Sequence, residues 1–106
     1  MGYSGRSTVD RRSCNGPTKA ITGTVRGRVQ GVSFRYSMQQ AAVGLNVNGW
    51  VRNLPDRSVA FHAEGEAAVV DALVRWAHSG PAFARVDEVD TTRVEIAGLT
   101  MFEILS

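Results

Sequence analysis

One cysteine in 106 residues, Cys14, leaves nothing for it to pair with. A disulfide framework and a cysteine metal set are both excluded, which fits a reducing compartment and makes a cytoplasmic setting the expectation. Only two histidines occur, His62 and His78, too few for a histidine-built metal centre. No metal or other cofactor is implied. No run of 18 apolar residues is present, so no membrane-spanning helix is expected. The first residues lack the apolar core of a secretory signal. Met1-Gly2 opens like a myristoylation site, but Arg6 stands where Ser or Thr is needed.

What is present is ordinary for one soluble domain: 43% apolar and 21% charged residues. Charge is divided unevenly. Residues 1–18 carry three arginines against Asp10. Residues 19–57 carry six cations against Asp56 alone, and residues 58–106 carry three arginines against eight acids. The body from residue 19 onward is therefore neutral with a basic first half. A neutral body argues against nucleic-acid binding, which needs a basic surface; a local basic half suits a small anion.

Residues 1–18 are rich in Gly, Ser, Arg and Asn and read as a disordered tail. The remainder, 19–106, reads as one domain. Residues 20–26 alternate in strand period, and Gly27 to Ser33 reads as a loop. From Phe34 the period becomes helical, with Phe34, Met38, Ala41, Ala42 and Leu45 on one face and Gly44 as the stop. Val47 to Asn53 reads as a second strand, Leu54-Pro55-Asp56-Arg57 as a turn, and Ser58 to Glu64 as a third strand. Residues 66–79 form a second helix ended by Gly80-Pro81. Arg85 to Glu95 and Thr100 to Leu105 are two further strands joined by a turn at Ala97-Gly98. Two helices cannot cover both faces of such a sheet, so they belong together on one face, leaving the other wet. The expected fold is α+β: a ferredoxin-like βαββαβ sandwich, an antiparallel sheet with two helices on one face and a short extra C-terminal strand.

The stretch Gly27-Arg28-Val29-Gln30-Gly31-Val32-Ser33-Phe34-Arg35 joins a strand end to a helix start. A helix's first turn has unpaired N–H groups at the positive end of its dipole. A tight glycine loop in front of it can turn further N–H groups inward, making an anion site out of backbone. Gly31 permits close approach of the chain, and Arg35 can offer phosphate a two-pronged contact. On chemistry alone the same segment also fits a plain strand–helix turn with a surface arginine. It lacks the Lys-Ser/Thr of a Walker loop and the glycine spacing of a dinucleotide fingerprint.

In Gly49-Trp50-Val51-Arg52-Asn53, alternation puts Gly49, Val51 and Asn53 on one side of a strand. Asn53 closes that strand. Its amide donates and accepts together, as holding a water requires. Taken by itself, Asn53 reads more readily as the start of a turn.

Together the two stretches resemble the acylphosphatase signatures Gly-x-Val-Gln-Gly-Val-x-Phe-Arg and Gly-(aromatic)-Val-x-Asn, each complete. Gly65, Gly80-Pro81 and Phe102-Glu103-Ile104 are similar to the family as well, so the resemblance spans residues 19–106. It implies hydrolysis of the carboxyl–phosphate anhydride of a small-molecule acyl phosphate, with inorganic phosphate as product and inhibitor. By that resemblance Arg35 and Asn53 are catalytic, and the backbone of Gln30, Gly31, Val32, Ser33, Phe34 and Arg35 binds phosphate. Arg35 binds the phosphate oxygens and Asn53 orients the attacking water. No side chain of either motif is an obvious general base, so the substrate's phosphate would accept the proton. No metal, nucleic acid or membrane is involved in that scheme, and a monomer is expected. The alternative is a phosphate- or acyl-phosphate-binding module of the same fold with little turnover.

Two departures from the family pattern stand out. Ser33 occupies a variable position often held by Gly. Asp56-Arg57-Ser58 replaces the commoner Asp-Gly turn, and because Arg lacks glycine's freedom at positive φ, a different turn type is expected there. Trp50 and Trp76 read as packing residues, His62 as no metal ligand, and His78 as a partner for the C-terminal end of its helix.

Overall fold

A computed structural model describes residues 18–105. The expected tail lies outside the described residues except for Thr18, which opens the first strand. The elements are β1 (Thr18–Arg28), α1 (Phe34–Leu45), β2 (Asn48–Asn53), β3 (Val59–Glu66), α2 (Ala67–Ser79), β4 (Arg85–Val94) and β5 (Phe102–Leu105). They form one five-stranded sheet in the order β4-β1-β3-β2-β5.

The four strands of the βαββαβ unit pair antiparallel, as the alternation predicts. The extra strand β5 does not: it pairs parallel to β2, with Gly49 opposite Phe102 and Val51 opposite Ile104. The sheet is therefore mixed. β4 and β5 sit on opposite edges, so their connection must cross the whole sheet. Four inter-strand spacings amount to about 19 Å, within the reach of about 26–29 Å of the extended linking residues but far beyond what a tight turn spans. The seven residues 95–101 accordingly form an extended crossing rather than a tight turn at Ala97-Gly98.

One face of the sheet and both helices share a single core. Val25, Val51, Val59, Phe61 and Ala63 meet Phe34, Met38, Ala42, Val70, Leu73 and Ala77, all buried. Removing a side chain of this kind from water is worth roughly 1.5–3 kcal/mol. The opposite face is less wet than expected. There, His62 and Glu64 of β3 are only 6% and 4% exposed: the 95–101 crossing is bonded to Glu64, and His62 lies against Glu64 and the Trp50 ring.

Two boundaries also differ from the sequence reading. β1 continues through Gly27 to Arg28 across a register shift after Arg26, so the loop proper begins at Val29. Helix α1 passes through Gly44 and stops at Asn46, which is left-handed at φ 61°, ψ 39°. Asn46 N–H donates to Val43 O and Val47 N–H to Ala42 O, the paired bonds that close a helix end. Asn tolerates this conformation nearly as well as Gly, and placing it here leaves Val47 to pack against the core.

Candidate active site

The loop between β1 and α1 is held by its apolar members. Val29 and Phe34 are 1% exposed, and Val32 packs on the same core. Phe34 also meets the Trp76 ring of α2 at 5.4 Å between centroids. The residues between these anchors, Gly31 and Ser33, are left facing outward. Gly31 is at φ 77° with open space where a Cβ would stand, so its backbone conformation, not crowding, calls for glycine. Ser33 caps the helix in the left-handed region, φ 61°, without a side-chain bond. The first intrahelical bond runs from Ser37 N–H to Ser33 O at 2.9 Å. The N–H groups of Phe34, Arg35 and Tyr36 thus have no acceptor within the helix.

These residues open on a cavity of about 200 Å³. Gly31, Ser33, Phe34 and Arg35 line one side of it, and Asn53 comes in from the end of β2. Of the six loop residues expected to bind phosphate, Gln30 and Val32 are not in the lining. Asn53 is brought there by strand register. It pairs with Val59 and shares the helix-facing side of β2 with Val51 and Gly49. Gly49 lets β2 and β3 close to this distance: a Cβ on it would stand 1.7 Å from the His62 carbonyl oxygen.

Among the described residues, the Oδ1 of Asn53 is a buried side-chain atom without a hydrogen-bond partner. An orphaned acceptor of this kind costs about 1–3 kcal/mol, and its residue lines the cavity that Arg35 also lines. Arg35 is half-buried, and its Nη1 donates to the Leu105 carbonyl of β5 at 2.8 Å. Among the described residues its other guanidinium nitrogens have no hydrogen-bond partner, and the residue lines the cavity.

Sequence reasoning gave Gln30 a backbone role only. Its side chain has a second one. Nε2 donates to Leu54 O and to Ser58 O, both at 2.9 Å. This clasp ties the loop to the β2–β3 hairpin immediately after Asn53. The hairpin itself corrects the expected turn type. Arg57 sits at φ 74°, in the position glycine commonly fills. Arg57 N–H donates to Leu54 O and Leu54 N–H to Ser58 O, a tight turn followed by a left-handed residue. Asp56 Oδ1 accepts from Ser58 N–H at 3.0 Å, and hydrogen bonds from Ser58 hold its carboxyl below the ordinary range.

The acylphosphatase family model matches residues 21–104. The chain belongs to the acylphosphatase family. An acylphosphatase of Anaeromyxobacter dehalogenans is 57% identical over 81 residues, covering 76% of this chain and 87% of that protein. One from Nocardioides sp. is 51% identical over 85 residues, covering 80% and 86%. Among solved structures, an acylphosphatase from Coxiella burnetii superposes with a TM-score of 0.82 at 32% identity, covering 92% of this chain and all of that one. The acylphosphatase segment thus takes in the loop, Arg35, Asn53 and most of β5. Among the described residues no group of three or more His, Cys, Asp or Glu could hold a metal ion, and no helix is long and apolar enough to cross a membrane.

Proposed function

We propose that this chain hydrolyses acyl phosphates to a carboxylate and inorganic phosphate at the cavity shared by Arg35 and Asn53. The observation that carries this reading is the meeting of Asn53, whose Oδ1 has no hydrogen-bond partner among the described residues, with Arg35 and an open helix start around one cavity. The phosphate sits against the free N–H groups at the start of α1, where the helix dipole favours negative charge. Arg35 spans two of its oxygens and stabilises charge as the bond to the acyl oxygen lengthens. The Asn53 side-chain amide holds a water and aims its oxygen at phosphorus, in line with the departing acyl group. The water oxygen forms the new bond, the P–O bond to the acyl group breaks with its electron pair, and a carboxylate leaves. A phosphate oxygen takes the water's proton. The leaving group is a stabilised anion, so it needs no proton from the enzyme.

The test is benzoyl phosphate hydrolysis in excess chelator, with inorganic phosphate as competitor. Fast, chelator-resistant hydrolysis inhibited by phosphate is expected. Arg35→Gln should lose roughly a hundredfold or more in turnover and weaken phosphate inhibition, since it removes a preorganised charged donor. Asn53→Ala should lower kcat with little change in phosphate affinity. Saturable phosphate binding without turnover by the parent protein would instead support a binding module. The same reading describes a metal-independent monomer of the cytoplasm, and elution of the 11.5 kDa chain as a single copy checks the monomer.

A further inference from the structure

The cavity has a second wall that phosphate does not need. Tyr36, next to Arg35 on α1, and Ile104 of β5 both line it, and they are 59% and 38% exposed. Large apolar side chains left this open beside a polar cradle mark a surface that gains by being covered. The folding of the chain does not require either position to be apolar at its exposed surface. Tyr36 follows Arg35 on the solvent side of the helix, whereas the buried positions of α1 are Phe34, Met38 and Ala42. Ile104 lies on an edge strand and stands next to Leu105, whose carbonyl holds the Arg35 guanidinium. The two side chains are thus tied to the same groups that fix the phosphate.

We propose that Tyr36 and Ile104 receive the acyl group and make the site selective for acyl phosphates with an aromatic or branched aliphatic acyl group over acetyl or carbamoyl phosphate. This rests on the hydrolytic reading above and deepens it. With the phosphate fixed on the loop, the acyl carbon is one bridging oxygen away. A substituent on it either reaches this apolar wall or, when it is a methyl or an amino group, falls short. An aromatic ring covers apolar surface in proportion to its area and meets the Tyr36 ring in an offset or edge-on arrangement. Discrimination by apolar contact of this kind is worth roughly tenfold to a hundredfold in kcat/KM. The partly open wall places this site near the lower figure.

The experiment compares kcat/KM for benzoyl and acetyl phosphate in the parent protein, Tyr36→Ala, Tyr36→Phe and Ile104→Ala, together with inhibition by inorganic phosphate. Taking the ratio of the two substrates and following its change between variants cancels their different intrinsic reactivities. Tyr36→Ala and Ile104→Ala should each lower the benzoyl-to-acetyl ratio about fivefold to tenfold, by raising KM for benzoyl phosphate. Inhibition by inorganic phosphate should stay within about twofold, and Tyr36→Phe should keep the parental ratio because the ring remains. An unchanged ratio in both alanine variants overturns the proposal. So does an equal loss on both substrates with weaker phosphate inhibition, which would put these residues with the phosphate. Tyr36 is exposed, so its replacement leaves the core intact and the test readable even if Ile104→Ala weakens β5. Absence of hydrolysis of either substrate by the parent protein would overturn the hydrolytic reading itself, a separate result.

Discussion

Arg35 and Leu105 lie 70 residues apart and meet in a 2.8 Å hydrogen bond from guanidinium to carbonyl. The bond makes β5 part of the site. A guanidinium can serve the carbonyl with one nitrogen and an anion with the others, because its donors are set in a rigid fork. An ammonium is a single point charge and must choose between them. Arg35→Lys should therefore keep the positive charge yet lose roughly tenfold to a hundredfold in kcat/KM, the range expected for displacement of a catalytic group by about 1 Å. Steady-state kinetics on benzoyl phosphate will decide it. Activity within threefold of the parent would mean that charge alone suffices and that the anchoring to Leu105 is incidental.

Gln30 makes a comparable connection on the other side of the cavity, through its two bonds to Leu54 O and Ser58 O. Gln30→Ala removes both bonds, although Arg57 N–H still serves Leu54 O and Leu54 N–H still serves Ser58 O; at about 0.5–1.5 kcal/mol for each lost bond, it should destabilise the fold by about 1–3 kcal/mol in urea titration. Gln30→Glu is the sharper variant. It keeps the shape but turns the donor into an acceptor facing two acceptors. Both variants should lower kcat about tenfold, since the phosphate loop and Asn53 lose their common support. A variant that loses stability but turns over at the parental rate would show the clasp to be structural only.

These two bonds show where reading the sequence stopped. Short-range signals were legible. Period-two alternation located β1 to β4, and the change of period at Phe34 located α1. The Gly49–Val51–Asn53 alternation also grouped Asn53 with Val51 on one side of β2; that Val51 is buried against the helices, and so which side it is, came only from the structure. The parallel seat of β5 was not legible, because β5 is four residues long and its direction depends on where the 95–101 crossing delivers it. The same crossing is bonded to the buried Glu64, so a face expected to be wet is partly closed. The side-chain role of Gln30 was hidden because its partners are backbone carbonyls 24 and 28 residues away, and carbonyls carry no sequence signal.

Arg57 and Ser33 hold left-handed conformations, φ 74° and φ 61°, that a side chain disfavours. The penalty is about 1–2 kcal/mol for a non-glycine residue, while glycine's greater freedom in the unfolded chain takes back about 0.4–1 kcal/mol. Arg57→Gly and Ser33→Gly should each stabilise the protein by about 0.5–1 kcal/mol. In a domain of this size that raises Tm by several degrees, of the order of 4 °C. Arg57→Gly should leave turnover unchanged, since the turn is already in the glycine conformation. Scanning calorimetry of the two variants checks this. A fall in Tm for Arg57→Gly would mean that its side chain contributes more than its backbone strain costs.

Glu64 anchors the crossing. Its carboxylate accepts from Ala97, Gly98 and Leu99 N–H at 2.8, 2.9 and 2.7 Å, and His62 Nε2 lies 2.8 Å away, stacked against Trp50. Burial alone would raise the carboxyl's pKa. The bonds from His62, Ala97 and Leu99 outweigh burial and bring it below the ordinary 4.5. A depressed folded-state pKa means that the ionised carboxylate stabilises the fold in full above pH 4.5, and that this stability is lost as pH falls through the lower folded value. The parent protein should therefore weaken steeply below pH 4.5. Glu64→Gln should be less stable near neutrality by about 3 kcal/mol, the range for removing one partner of a buried charged network, and its stability should depend less on pH in the acid range. Asp56, also depressed but exposed, leaves a shallow residual slope in the variant. Urea midpoints measured from pH 3 to pH 7 for both proteins provide the check. If Glu64→Gln keeps the parental acid slope, the protons that unfold this protein bind elsewhere, and the crossing is held by the bonds that β2 donates to it, from Asn48 Nδ2 to Leu99 O and from Gly49 N–H to Met101 O.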